Sequence, residues 1–286
     1  SLHLQGSWPK LALQMQGRSQ WPGLPNAAMQ IAGDLKNDLF EVAKLQIETL
    51  NGQLNFAGSV SASQLQGQLQ INKLQPGLFW TDFPGEFSGA TEVKLSYAKR
   101  FEMQLNKQQW QGSIRSLPLD LTGDLRLWFH EHWRLATEGI ALTHGKNQLR
   151  LTGSLDETWA LSAQAELPDI SLSLPWAEGQ FNADVMIGGP YTSPNLQFSL
   201  EGNELSWGED YSVTKAQFTG LVRQFGDLSS QMAFSVKGLA TPGLQIRELT
   251  WQTDGTLAAH QSKLSLNSPQ LKATTEFTAG VQQGIW

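Results

Sequence analysis

The chain has 286 residues, of which 40% are hydrophobic and only 16% charged, and its formal net charge is −6. Acidic and basic residues are scattered singly, so there is no basic stripe to hold a phosphate backbone and nucleic acid is excluded as a partner. The lack of cysteine excludes disulfides, thiolate metal sites and thiol nucleophiles. No stretch approaches the roughly 18 continuous apolar residues that a membrane-crossing helix requires.

Polarity comes largely from neutral side chains, including 29 Gln. Apolar and polar residues alternate with period two along almost the whole sequence, the periodicity of a strand with one oily face. Leu11, Leu13 and Met15 alternate with Ala12, Gln14 and Gln16; Leu69 and Ile71 alternate with Gln68, Gln70 and Asn72. The pattern continues through Val93/Leu95/Tyr97, Phe101/Met103/Leu105, Leu125/Leu127, Leu149/Leu151, Leu161/Ala163/Ala165 and Ile170/Leu172/Leu174. It closes with Phe181/Ala183/Val185/Ile187, Leu196/Phe198/Leu200, Met232/Phe234/Val236 and Leu264/Leu266. Gly, Pro, Asn, Asp or Ser bounds each run, so each predicts a strand.

The segment DLFEVAKLQIETL (38–50) comes nearest to a helical stripe. Val42, Leu45 and Ile47, followed by NGQLNFAG, nevertheless fit a strand pair better, with Asn51-Gly52 as the hairpin signal. The spacing predicts an all-β chain of about 18–22 strands. No Pro-rich, Ser/Gly-rich or charged tract divides it, which favours one elongated unit over 1–286 rather than two globules. The start at Ser1 and the end at GVQQGIW read as the limits of a piece of a longer chain.

A strand that ends in a small-residue corner and is followed by a new apolar strand recurs. It appears at LQGSWPKLALQM (4–15), FAGSVSASQLQGQLQI (56–71), LTGSLDETWALSA (151–163) and IGGPYTSPNLQFSL (187–200). A second signature, INKLQPGLFWTDFPGEFSG (71–89), parallels ISLSLPWAEGQFNA (170–183).

Candidate chemistry is sparse. In LWFHEHWRL (127–135), His130 and His132 flank Glu131 and would share one strand face, as some metal sites need. No third ligand stands nearby and the helical His-Glu-x-x-His spacing is absent, so the segment reads as a polar hairpin tip among Trp128, Phe129 and Trp133. The remaining histidines are His3, His144 (in the turn-like THGKN) and His260, without a Gly-x-Ser-x-Gly elbow or clustered carboxylates. The reading is therefore not an enzyme, with no metal or cofactor. Trp8, Trp80, Trp110, Trp128, Trp133, Trp159, Trp207 and Trp251 read as caps on sheet edges and corners, a sugar-stacking surface being the alternative.

One stretch, HGKNQLRLTGSLDETWALSAQAELPDISLSLPWAEGQFNADVMIGGPYTSPNLQFSLEGNEL (144–205), resembles the TamB family. The matching features are Gly153-Ser154, Trp159-Ala160-Leu161, Leu172-Ser173-Leu174-Pro175 and Gly179, then Gly189, Pro194 and Leu196, with looser copies over 2–280. The resemblance implies an AsmA-like bridge protein of Gram-negative bacteria, anchored in the inner membrane, crossing the periplasm and working with the outer-membrane barrel TamA. It implies an elongated, mainly antiparallel sheet curled into a U-shaped trough (a β-taco) with an apolar interior that carries phospholipid. The anchoring helix and the family's far C-terminal end are not seen, which places this piece in the interior of the parent chain.

The residues alone leave open whether the oily face seals against a second sheet or receives acyl chains. On the conduit reading the groove is lined by Leu149, Leu151, Leu161, Ile170, Leu172, Val185, Ile187, Leu196 and Phe198. The alternative is a sealed β-solenoid or sandwich that acts as a stalk or as a scaffold for outer-membrane barrel assembly.

Overall fold

The computed structural model describes residues 1–7, 9–20, 25–98, 100–223, 229–256 and 258–280; Trp8 and residues 281–286 lie outside these. Residues 1–145 and 146–286 form two compact units. The first holds β1 (Leu2–Ser7), β2 (Lys10–Ser19), β3 (Ala27–Lys36), β4 (Leu39–Thr49), β5 (Gly52–Ser61), β6 (Gln64–Leu74), β7 (Gly85–Ser96), β8 (Glu102–Ile114), β9 (Leu117–His130) and β10 (His132–His144). The second holds β11 (Asn147–Leu155), β12 (Thr158–Leu167), β13 (Ala177–Pro190), β14 (Asn195–Trp207), β15 (Tyr211–Arg223), β16 (Ser229–Thr241), β17 (Leu244–Gly255), β18 (His260–Asn267) and β19 (Lys272–Ala279). The all-β expectation therefore holds, with 19 strands among the described residues, inside the expected range.

Within each unit consecutive strands pair antiparallel, a meander joined by hairpins. Each small-residue corner read from the sequence is such a hairpin: β1–β2, β5–β6, β11–β12 and β13–β14. The second signature marks two single turns of 3₁₀ helix at equivalent places, Pro76–Leu78 between β6 and β7 and Ile170–Leu172 between β12 and β13.

The β4–β5 turn is displaced by one residue from the sequence reading. Leu50 and Asn51, with φ of 50° and 55°, occupy its centre, while Gly52 pairs with Thr49 at the start of β5. A side chain on Gly52 would come within 2.7 Å of the Leu74 backbone, so the glycine serves close approach rather than the turn itself.

Neither unit builds a dry core. Val42, Phe56, Val222, Val236 and Ile246 are buried, yet no side chain among the described residues is fully enclosed. The chain exposes 17936 Å². Two separate compact domains, each of half this 31.6 kDa mass, would together expose roughly 14,600 Å². The excess holds however the units are arranged, and it accords with strands of a single sheet rather than the two packed layers of a sandwich.

The ladders of the first unit shift register six times, at Ala32/Gly33, Val42/Leu45, Ile71/Leu74, Ala90/Glu92, Leu105/Gln108 and Ala136/Ile140. Those of the second shift once, at Glu178/Gln180. Each shift is a β-bulge or a local irregularity of the ladder, and the two on either side of β4, like the two on either side of β8, share one extra residue; such insertions bend the strand and free backbone groups from the ladder. Buried threonines take up some of these. Thr91 Oγ1 donates to the Asn106 carbonyl at 3.1 Å, and Thr137 Oγ1 donates to the Asp124 carbonyl at 2.8 Å and accepts from Gly139 N at 3.0 Å.

Candidate functional site

Residues directly opposite in an antiparallel pair project to the same face, so the registers convert separate strands into rows. In the second unit one row runs Gly153–Leu161–Ile187–Leu196–Val222. The next runs Leu151–Ala163–Val185–Phe198–Gly220–Met232, and a third Leu149–Ala165–Ala183–Leu200–Phe218–Phe234–Trp251–Leu264. Seven expected groove residues, Leu149, Leu151, Leu161, Val185, Ile187, Leu196 and Phe198, are thereby brought onto one face. All are half-buried except Leu149, which is exposed.

Ile170 and Leu172 do not join them, and the strand expected there is corrected to a 3₁₀ turn. The Asp169 side chain accepts from Ser171 N at 3.1 Å and from Ser171 Oγ at 2.6 Å. Asn147 Nδ2 donates to the Asp169 carbonyl and to Ser173 Oγ, both at 2.8 Å. Local capping outcompetes extension despite the alternating apolar residues, and it tucks Ile170 into a buried position at the corner.

The registers also add Phe218, Phe234, Trp251 and Val222 to the face. Their signal lies in hairpin pairing rather than in any single strand, because only the register across β14–β17 shows that they stand side by side. Phe198 and Phe218 meet edge-to-face at 4.6 Å, and Phe218 and Phe234 at 5.9 Å. Rings lie over glycines: a side chain on Gly220 would reach Phe198 Cζ at 2.4 Å, and one on Gly67 would reach Phe56 Cζ at 2.7 Å.

The first unit repeats the arrangement. Leu4–Leu13, Met15–Ile31–Leu45–Phe56–Leu69 and Leu105–Leu125 are directly opposed sets on its apolar face. Trp110, within β8, lies against Gly89, and Trp251 lies within β17, so these two sit on strand faces rather than capping corners. Trp133 stands at the β9–β10 tip against Phe101 and Phe129, Trp80 at the first 3₁₀ corner against Phe79, and Trp207 at the end of β14. Trp159 Nε1 donates to the Tyr191 carbonyl at 3.2 Å, and Trp128 lies under the Arg126 guanidinium.

The opposite faces are polar and largely self-paired. Lys36–Glu41, Lys107–Glu92, Arg126–Glu102, Lys215–Glu201, Lys237–Glu248 and Lys263–Glu276 form cross-strand ion pairs. Hydrogen bonding and charge from Lys215 hold the Glu201 carboxyl below its ordinary range, and Lys263 does the same for Glu276. A concavity of about 670 Å³ lies over β15–β19, lined by Gln231, Asp254, Lys263 and Glu276 among others. These groups are engaged with each other, Gln231 to Asp254 at 2.7 Å and Lys263 to Glu276 at 2.6 Å, so the concavity presents paired groups to an incoming ligand.

LWFHEHWRL is a hairpin tip as expected, with Glu131 at φ 62° between His130 and His132, which stand opposite each other. His144 ends β10 rather than lying in the turn, buried with Nε2 2.9 Å from the Ile114 carbonyl oxygen. Among the described residues no group of three or more His, Cys, Asp or Glu is placed to hold a metal ion, and no helix is long and apolar enough to cross a membrane.

These features define a class: an antiparallel β-meander with one apolar face left without a second layer and one self-paired polar face. The model of the family described as TamB, N-terminal domain, matches residues 1–286, and the chain belongs to the TamB family. A curated relative, the translocation and assembly module subunit TamB of Haemophilus influenzae, is 21% identical over 201 residues, covering 69% of this chain and 15% of that protein. The chain thus spans a small part of the relative's length. No solved structure matches it.

Proposed function

We propose that this chain is a non-catalytic segment of an envelope-spanning conduit that moves phospholipid between the inner and outer membranes. The observation that carries the reading is the uncovered apolar face. Side chains that alternate strictly enough to keep one face oily, yet remain half-exposed, are held ready for an apolar partner that the unit itself does not supply. An acyl chain suits this face because it gains apolar contact at about 25 cal/mol per Å² without needing a hydrogen bond, while the headgroup stays on the wet side.

Family membership supports a role in the translocation and assembly module. On this proposal the two units contribute successive stretches of one trough. The full-length protein is anchored in the inner membrane, lies in the periplasm and works with the outer-membrane barrel TamA. Transport is passive, and no side chain turns over.

Leu151→Asp in the full-length protein tests it. An unpaired carboxylate in an apolar path costs several kcal/mol or draws water in. Phospholipid transfer between labelled donor and acceptor vesicles should fall sharply, whereas Thr152→Asp on the opposite face should leave it unchanged. Equal transfer by both variants would remove the face from the pathway and favour a sealed stalk or assembly scaffold.

A further inference from the structure

The apolar face of the second unit is uneven, and the unevenness has a length. Its third row begins with Leu149, Ala165 and Ala183 on β11–β13, then changes at Leu200 to Phe218, Phe234 and Trp251 on β15–β17, followed by Leu264 on β18. Phe198 leans in from the neighbouring row to 4.6 Å from Phe218, lying across the space left by Gly220. From Leu200 to Leu264 the row crosses four interstrand spacings of about 4.8 Å, or roughly 19 Å. One leaflet's hydrocarbon depth is roughly 15 Å, half the bilayer core. The aromatic row and its two leucine ends are therefore long enough to take a single acyl chain laid across the strands.

We propose that Phe198, Phe218, Phe234 and Trp251 form a resting station for one phospholipid acyl chain, and that the same row over β12 and β13, where it holds Ala165 and Ala183, is a passage of weaker hold. The inference rests on the conduit reading and sharpens it. Aromatic side chains offer far more contact area than Ala163, Ala165 and Ala183, and their half-buried state leaves that area available. The backbone groups of β15 and β16 are engaged in ladders on both sides. A peptide strand seeking a sheet edge gains nothing on this face, whereas a chain that binds by apolar contact alone does.

The test places the photo-crosslinker p-benzoylphenylalanine at Phe234 or at Ala183, two positions of the same row, in the full-length chain. The probe is vesicles of palmitoyl-oleoyl phosphatidylethanolamine and phosphatidylglycerol, and the readout is lipid adduct by mass spectrometry, normalised to folded protein. Adduct at position 234 should exceed that at 183 by about tenfold, the ratio expected if the flanking Phe218 and Trp251 give the chain an additional 55 Å² or so of apolar contact over the flanking Ala165 and Leu200. Phe218→Leu, which keeps the position apolar, should reduce the ratio at least about threefold by the same scaling. Equal yields at the two positions would overturn the station and leave the conduit standing. No adduct at either position would overturn both.

Discussion

The two units share one plan and carry it out differently. Six of the first unit's ladders contain a register shift, against one in the second. Along β14–β17 Phe198, Leu200, Phe218, Phe234, Val236, Leu249 and Trp251 share one face, so Phe218 and Phe234 fall into a continuous row; the parity changes at Glu204, Thr214, Gly238 and Arg247, beyond which Leu205, Val213, Leu239 and Ile246 stand opposite one another without a shift in these three ladders. In β4 the apolar positions run Phe40, Val42, then Leu45 and Ile47; in β8 they run Met103, Leu105, then Trp110 and Ile114. Each of these changes of parity in β4 and β8 falls at a register shift, and the first unit buries polar residues beside its shifts, Thr91, Gln108 and Thr137; the second unit buries Asn147 at its start and Thr253 and Ser262 where the Met232 row continues onto β17 and β18. At the shifts of the first unit the hydroxyls of Thr91 and Thr137 satisfy backbone groups that the ladder releases, whereas in the second Thr253 and Ser262 bond to each other within an unshifted ladder.

This comparison can be broken at several points. The largest effect is expected at Gly58, opposite the β4 bulge. A side chain there would sit 2.1 Å from the Gln66 carbonyl oxygen and 2.6 Å from Gly67 Cα, both backbone atoms. Gly58→Ala should cost about 3 kcal/mol in urea unfolding, whereas Gly220→Ala, which meets side-chain atoms, the Phe198 ring end and Met232 Cγ, should cost about 1 kcal/mol. If the two cost the same, the distinction between backbone-limited and side-chain-limited approach is wrong.

Thr137→Val strands the Asp124 carbonyl and the Gly139 N–H and should cost about 2 kcal/mol. Thr219→Val, exposed on the straight β15–β16 ladder, should stay within about 0.5 kcal/mol. Equal costs would mean that the bulges do not depend on their hydroxyls.

Smaller still is the strain at left-handed residues beside shifts, Lys73 and Lys107 in the first unit and Glu204 in the second, with φ of 51°, 51° and 47°. Glu204→Gly should stabilise by about 0.5–1 kcal/mol, read as a higher urea midpoint. Lys107→Gly should gain less, because it also loses the exposed ion pair with Glu92.

The smallest effect concerns pH. The Gln104 amide, hydrogen-bonded to Glu102 at 2.6 Å, and then Arg126 hold the Glu102 carboxyl below its ordinary range. A lowered folded-state value stabilises above the unfolded pKa, and that stabilisation is lost as pH falls through the folded value. Gln104→Ala should raise the Glu102 midpoint in an NMR titration and reduce the loss of stability on acidification. An unmoved midpoint would assign the shift to Arg126 alone.

Much of this architecture was legible in the sequence because period two survives wherever registers are straight. That is why Leu151, Leu161, Val185, Ile187, Leu196 and Phe198 were readable as one face. The failures have physical causes. The near-helical spacing in DLFEVAKLQIETL is the bulge after Val42, where an inserted residue stretches the two-residue step to three. Ile170 and Leu172 alternate like a strand, but Asp169 and Asn147 cap a turn through contacts that alternation does not reveal. The aromatic row was hidden because each strand gives one ring, and only the hairpin registers set the rings side by side.

The central claim is that the oily face is kept for cargo. Its most direct test is organic extraction and mass spectrometry of lipid from the protein, purified without detergent after export to the periplasm. The account predicts phospholipid in near-stoichiometric amount that disappears in Leu151→Asp while the variant stays folded. A lipid-free, monodisperse wild-type protein would contradict it and show that the face is closed by protein.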